Sequence, residues 1–181
     1  MEEKKLNRFE VHPQRNLAPE EVERYWCLLH EHNLLAARLC TIDSPSVEDA
    51  LGVIQRFPYQ FYYVKVGGDI TAEFMLEGFT GESAQIHFSM HPLNSTRISL
   101  LLAREVSDMI LTTWKKLGSS QPYVRSLYGL TPSTNRPALF FIRRAGFLRK
   151  ATLPYGIRDR GQVVDAVLTV KTDSEVGHGW N

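Results

Sequence analysis

The hydrophobic pattern predicts an α/β fold, more narrowly an α+β mixed sheet that is central, mostly antiparallel and flanked by helices on both faces. Three observations lead there. Two amphipathic helical segments precede the first strands. Three alternating segments between Gln60 and His91 are joined by short glycine turns, as in a meander. A long helical pattern and a shorter one then separate the remaining strands, which requires crossover connections.

Residues 1–15 are polar and read as a flexible arm ahead of one domain over 16–172, with a polar tail over 173–181. Ala18-Pro19-Glu20-Glu21 opens the first helix, because proline suits the first turn and acids suit the positive end of the dipole. Val22, Tyr25, Trp26 and Leu29 form its apolar stripe. Leu34 to Ile42 is ambiguous. Ser44-Pro45-Ser46 starts a second helix with Val47, Ala50, Leu51 and Ile54 inward. Gln60–Val66 and Ile70–Phe79 are strands around the turn Gly67-Gly68-Asp69. After Thr80-Gly81-Glu82, Ser83–His91 places Ala84, Ile86, Phe88 and Met90 on one face and Gln85, His87, Ser89 and His91 on the other. Pro92-Leu93-Asn94-Ser95 ends that strand. Ile98, Leu102, Val106, Met109, Ile110, Trp114 and Leu117 recur at helical spacing, which predicts one helix over 96–117 closed by Gly118. Tyr123–Leu130 is a strand, Asn135 begins a helix ending before Gly146, and Phe147–Leu153 with Val163–Lys171 form a last antiparallel pair.

Composition narrows the function classes. The chain has 181 residues, 43% hydrophobic and 23% charged, enough for a core held without disulfides or a structural metal. No window approaches about 18 uncharged apolar residues, so no membrane partner is expected. The start Met1-Glu2-Glu3-Lys4-Lys5 lacks the apolar run of a secretory signal. Cys27 and Cys40 read as reduced buried thiols, which implies a cytoplasmic protein. Zinc is not expected, since His30 and His32 face different sides of a helix. The net charge of +1 conceals an asymmetry. Residues 1–95 carry 8 basic and 14 acidic side chains, whereas 96–150 carry 10 basic and only Glu105 and Asp108 as acids. Such a block suits a localised anionic ligand. It lacks the interleaved exposed aromatics of single-strand binders, which argues against nucleic acid.

Asn135 can cap a helix, Pro137 fits its first turn, Ala138 and Phe141 share a face, and Gly146-Phe147 ends the helix and starts a strand. The pattern Asn135-x-x-Ala138-x-x-Phe141-x-x-x-x-Gly146-Phe147, following a strand and a polar loop, resembles the second cofactor-side segment of the GNAT acyltransferase superfamily. The element order extends that likeness from Ala18 to Val170. The resemblance implies a GNAT-like acyl-CoA N-acyltransferase fold and acetyl transfer from acetyl-CoA, as co-substrate and without a metal, to a primary amine on a small molecule or peptide. It also implies cofactor contacts at Met90, at the Asn94, Ser95, Thr96, Arg97, Ile98 and Ser99 turn, and at Asn135, Ala138 and Phe141. Arg136, Arg143 and Arg144 would meet the adenosine phosphates.

Two departures stand out. The segment Pro92–Leu100 holds no glycine where the family has a glycine-rich phosphate loop, and each added Cβ narrows the approach of backbone N–H groups. Ile142 stands where many members carry the tyrosine that protonates the leaving thiolate; Tyr128, Tyr155 or a water would replace it. His87 and His91 share a strand face and are the bases best matched to neutral pH. Glu73 and Glu77 can act through water or be plain surface carboxylates, and Asp165 needs a partner if buried. The competing expectation is an inactive GNAT-fold binding or assembly module. The acidic early half favours a cationic acceptor, and an exposed edge strand leaves room for a homodimer.

Overall fold

The computed structural model describes residues 9–39, 44–57, 59–116, 118–159 and 161–176. Strand β1 (Phe9–Pro13) leads into helices α1 (Pro19–Glu31), α2 (Leu35–Arg38) and α3 (Val47–Arg56). The meander β2 (Phe61–Val66), β3 (Asp69–Thr80) and β4 (Ser83–Met90) follows, then α4 (Thr96–Thr112), β5 (Ser126–Pro132), α5 (Arg136–Arg144), β6 (Leu148–Asp159) and β7 (Gln162–Thr172). The seven strands form one sheet in the order β1-β2-β3-β4-β5-β7-β6. Pairing is antiparallel in β1–β2, β2–β3, β5–β7 and β7–β6 and parallel in β4–β5. No described helix is long and apolar enough to cross a membrane.

Contacts divide the chain into two compact units, one of residues 1–75 and 87–95, the other of 76–86 and 96–181. In the first, the α1 stripe Val22, Tyr25, Trp26 and Leu29 packs with Ala50 and Ile54 of α3 and with Phe61, Tyr63, Ile70 and Met75 of the sheet. Ser46 caps α3 through a reciprocal box with Asp49. The polar tips inside this core are all partnered. Trp26 Nε1 donates to the Tyr63 hydroxyl at 2.9 Å, and Tyr25 donates to the Ser89 carbonyl at 2.8 Å. Glu73, read as a water-linked base or a surface carboxylate, is fully buried, and its carboxylate takes a bidentate pair from Arg38 at 2.8 and 2.9 Å. Burial opposes the Arg38 charge, yet Glu73 holds its pKa above the ordinary value.

Phe9–Pro13, within the expected arm, is an edge strand on β2. Its five residues are too few to show against polar surroundings, and Pro13 is tolerated at an edge. Leu35–Arg38 resolves part of the ambiguous stretch as one helical turn. Cys27 is free and half-buried, while Cys40 lies outside the described residues.

In the second unit, Leu102, Ala103, Val106, Ser107, Ile110 and Leu111 form the buried face of α4. That helix stops at Thr112, five residues short of expectation. The Thr112 hydroxyl donates back to the Asp108 carbonyl at 2.7 Å, and adjacent β-branched threonines disfavour another turn. Trp114 thereby leaves the helix and packs edge-on against Tyr123 at 6.3 Å. Leu117 lies outside the described residues. β6 continues past Leu153 through a bulge in which Tyr155 has φ +52° and donates its N–H to Asp165 Oδ1 at 3.1 Å. Asp165 is thus an exposed bulge cap and not a buried charge.

Gly78 in β3 has φ +57°, and its missing Cβ leaves room for the Tyr128 hydroxyl, which a methyl group would meet at 2.8 Å. Gly78→Ala should therefore cost about 1–3 kcal/mol by urea titration, and adding Tyr128→Phe should recover part of the loss. Arg38→Met should cost about 3–5 kcal/mol by stranding the Glu73 carboxylate, and Arg38→Met/Glu73→Leu together should cost less than the single change. Equal midpoints for the single and double variants would contradict the buried pair.

Candidate functional site

β4 ends in a turn whose hydrogen bonds point inward. The His91 N–H donates to the Thr71 carbonyl at 2.9 Å. Because strand amides alternate, the Met90 N–H lies on the opposite edge of β4, away from β3. Pro92 has no N–H. The Leu93 N–H donates to His91 Nδ1 at 3.2 Å, the Asn94 N–H donates to the His91 carbonyl at 3.0 Å, and the Asn94 side-chain amide donates to the Thr71 carbonyl at 2.8 Å. Every backbone donor from His91 to Asn94 is taken up by the protein itself. Ser95 follows, exposed.

This arrangement fixes the His91 tautomer. With Nδ1 accepting, the neutral ring carries its proton on Nε2, so the ring offers a donor, and its lone pair is occupied. Burial, reinforced by His32 and opposed by Asp69, lowers its pKa below the ordinary histidine value. His87, four residues earlier on β4, is half-buried.

The helical candidates belong to the second unit. Thr96 and Arg97 are exposed in the first turn of α4, Ile98 is half-buried, and Ser99 is turned into the buried face with 8% exposure. Asn135 caps α5, its Oδ1 accepting from the Ala138 N–H at 3.2 Å. Ala138, Phe141 and Ile142 are half-buried on that helix, and Gly146 ends it with φ +97°. The Tyr128 hydroxyl donates to the Gly78 carbonyl at 3.2 Å, which occupies its proton. Tyr155 is 80% exposed.

An open groove of about 380 Å³ is lined by Leu100 and Arg104 of α4 and by Arg143 and Arg144 of α5. Arg144 also lies over the Phe140 ring at 4.9 Å. Three guanidiniums around one apolar side chain suit a phosphate joined to an organic body. Arg136, in the first turn of α5, is not among these lining residues. Arg104 and Leu100 were not singled out from sequence, although their four-residue spacing on a predicted helix puts them on one face.

No protein-family model and no curated protein matches the chain. Solved structures do. RimJ from Mycobacterium smegmatis, in complex with CoA-disulfide, aligns with TM-score 0.70 at 11% identity over 94% of this chain and 85% of that one. The spermidine N-acetyltransferase of Vibrio cholerae, in complex with CoA and spermine, gives 0.69 at 12% identity over 92% and 96%. A GNAT-family acetyltransferase from Bacillus anthracis gives 0.63 at 10% identity over 93% and 96%. The chain has the GNAT fold.

Within that GNAT fold, the expected element order holds from the first helices to the last hairpin. The turn donors from His91 to Asn94 are engaged in internal bonds, and Ile142 has no proton to give. His91, with Nδ1 engaged by the Leu93 N–H, keeps an Nε2–H to donate. By NMR, His91 is expected to titrate with a midpoint below 6.5 and to show the Nε2–H tautomer when neutral. Its folded pKa is depressed, so the unfolded chain binds the proton first. This contribution to stability is present above the unfolded value and declines as pH falls through the ordinary histidine range towards the folded value. A midpoint above 6.5, or a dominant Nδ1–H form, would contradict the turn geometry.

Proposed function

We propose that the protein is an N-acetyltransferase that moves an acetyl group from acetyl-CoA to a primary amine. The observation that carries this reading is the arginine groove between α4 and α5, in a chain whose fold is that of known acetyltransferases. Arg104, Arg143 and Arg144 would hold the nucleotide phosphates by charge-assisted hydrogen bonds, and Leu100 would support the apolar face of the nucleotide. Thr96 and Arg97, in the first turn of a 17-residue helix, add N–H groups and a cation for the diphosphate. Asn135, Ala138 and Phe141 would border the pantetheine arm. Acetyl-CoA supplies the activated thioester.

The chemistry left to the protein is proton transfer and charge stabilisation. The amine nitrogen attacks the thioester carbonyl, the C–S bond breaks, the nitrogen loses a proton and the departing sulfur gains one. His87 is the side chain proposed to take the amine proton. The Met90 N–H, on the edge of β4 away from β3, is the proposed donor to the carbonyl oxygen. The Nε2–H of His91 replaces the missing tyrosine as a donor near sulfur. Acidic residues outnumber basic ones by 14 to 8 in residues 1–95, which favours a cationic amine as acceptor. RimJ and the spermidine enzyme were solved with CoA species, one also with spermine, which supports an acyl-CoA and amine pairing here.

One set of observations favours a second reading, a binding module without turnover. The turn donors are internally satisfied, and neither Ile142 nor the engaged Tyr128 hydroxyl offers a proton. Calorimetry and thiol release separate the two. The enzyme reading expects CoA to bind, 3′-dephospho-CoA to bind about tenfold more weakly, and Arg143→Ala/Arg144→Ala to erase that difference, the size of one charge-assisted contact. It also expects thiol release from acetyl-CoA with a panel of diamines and polyamines. CoA binding without any thiol release would leave the binding module, and no CoA binding at millimolar ligand would overturn both.

A further inference from the structure

Lys171 of β7 is 3% exposed, and its ammonium is enclosed by acceptors from two helices. Its Nζ lies 2.6 Å from Asp108 Oδ1 and 2.8 Å from Ser107 Oγ on α4, and 3.1 Å from the carbonyl of Ala145, the residue that closes α5. Asp108 meets the ammonium as an ion pair, while Ser107 and Ala145 accept its hydrogen bonds. The Arg104 carbonyl lies farther off at 3.5 Å, and the Phe147 ring is 5.8 Å away. Asp108 has a second cation beside it, the Arg104 guanidinium at 3.9 Å. Both helices tied together here line the arginine groove, and Ala145 directly follows Arg143 and Arg144.

We infer that Lys171 is a positioning residue for the groove: it neutralises Asp108, which leaves Arg104 free for an anion, and it anchors the end of α5 that carries Arg143 and Arg144. The inference rests on the groove being the nucleotide-phosphate site. Without the ammonium, Asp108 would be balanced by Arg104 alone, and the groove would lose one of its three cations. Gly146 belongs to the same device. A Cβ there would meet Lys171 Cε and Nζ at 3.3 Å, so glycine leaves room for the ammonium as well as allowing φ +97°. Burial pulls the lysine pKa down, while Asp108 and, more weakly, Glu175 pull it up and Arg104 adds to the lowering.

The test measures CoA and 3′-dephospho-CoA affinities by calorimetry in the wild-type chain, Lys171→Met, Asp108→Asn and the double variant, with circular dichroism as the folding control. Lys171→Met should weaken CoA about tenfold and bring the ratio of the two affinities towards one, the signature of a lost phosphate contact. Adding Asp108→Asn should restore the ratio, because the unbalanced carboxylate is gone. Asp108→Asn alone, which leaves the lysine in place, should hold or tighten CoA binding. A folded Lys171→Met chain with wild-type affinity and ratio overturns the inference, as does weaker CoA binding by Asp108→Asn. A wild-type chain that binds neither nucleotide overturns the parent reading itself, so the two failures are told apart by which protein shows them.

Discussion

A lysine ammonium with 3% exposure is tolerated only if its charge and all its protons are met inside the protein. Lys171 satisfies that demand by drawing Asp108 and Ser107 from α4 and the last carbonyl of α5 to one point on β7. The helices cannot slide past one another without breaking a hydrogen bond that water cannot replace. Buried pairs of this kind add little net stability over apolar packing, but they restrict the arrangements a core can adopt. The first unit follows the same rule with Arg38 and Glu73, whose fork geometry fixes the short helix α2 to β3. In both places a costly charge settles which neighbour stands where.

Legibility from sequence follows the range of the interactions involved. The Asn135 cap, the helix start at Ser46, the Gly67-Gly68 turn and the stop at Gly146 rest on contacts within a few residues, and all are found as read. The mixed, mostly antiparallel sheet was legible because hydrophobic periods switch cleanly between strand and helix. The partner of Glu73 was not, because it lies 35 residues away in a stretch with no clear pattern. Lys171 was hidden for a similar reason: at the end of an apolar strand it looks like a solvent-facing terminus, and its partners are 64 and 26 residues distant. The early end of α4 was missed because Trp114 keeps helical spacing while Thr112 and Thr113 end the helix locally. Histidine spacing singled out His91, yet spacing cannot reveal that a backbone N–H two residues on occupies a ring nitrogen.

The glycine-free turn and the arginine groove belong to one physical argument. A backbone nest binds phosphate through unpaired N–H groups, and glycine allows both the approach and the required φ. Here the donors from His91 to Asn94 already have acceptors, and side chains crowd the approach. Binding a diphosphate there would mean breaking internal bonds, which shifts the attraction to charged side chains. Guanidiniums on helix surfaces suit that role, including Arg104, whose pairing with Asp108 is long at 3.9 Å. They reach further, keep their charge at any physiological pH, and hold phosphate by paired hydrogen bonds. They also depend more on the placement of the helices that carry them, since an amide nest is fixed by its own backbone and a set of long side chains is not. Moving anion recognition from backbone to side chains therefore raises the demand on helix spacing, and a buried cation joining those helices is a physical answer to that demand.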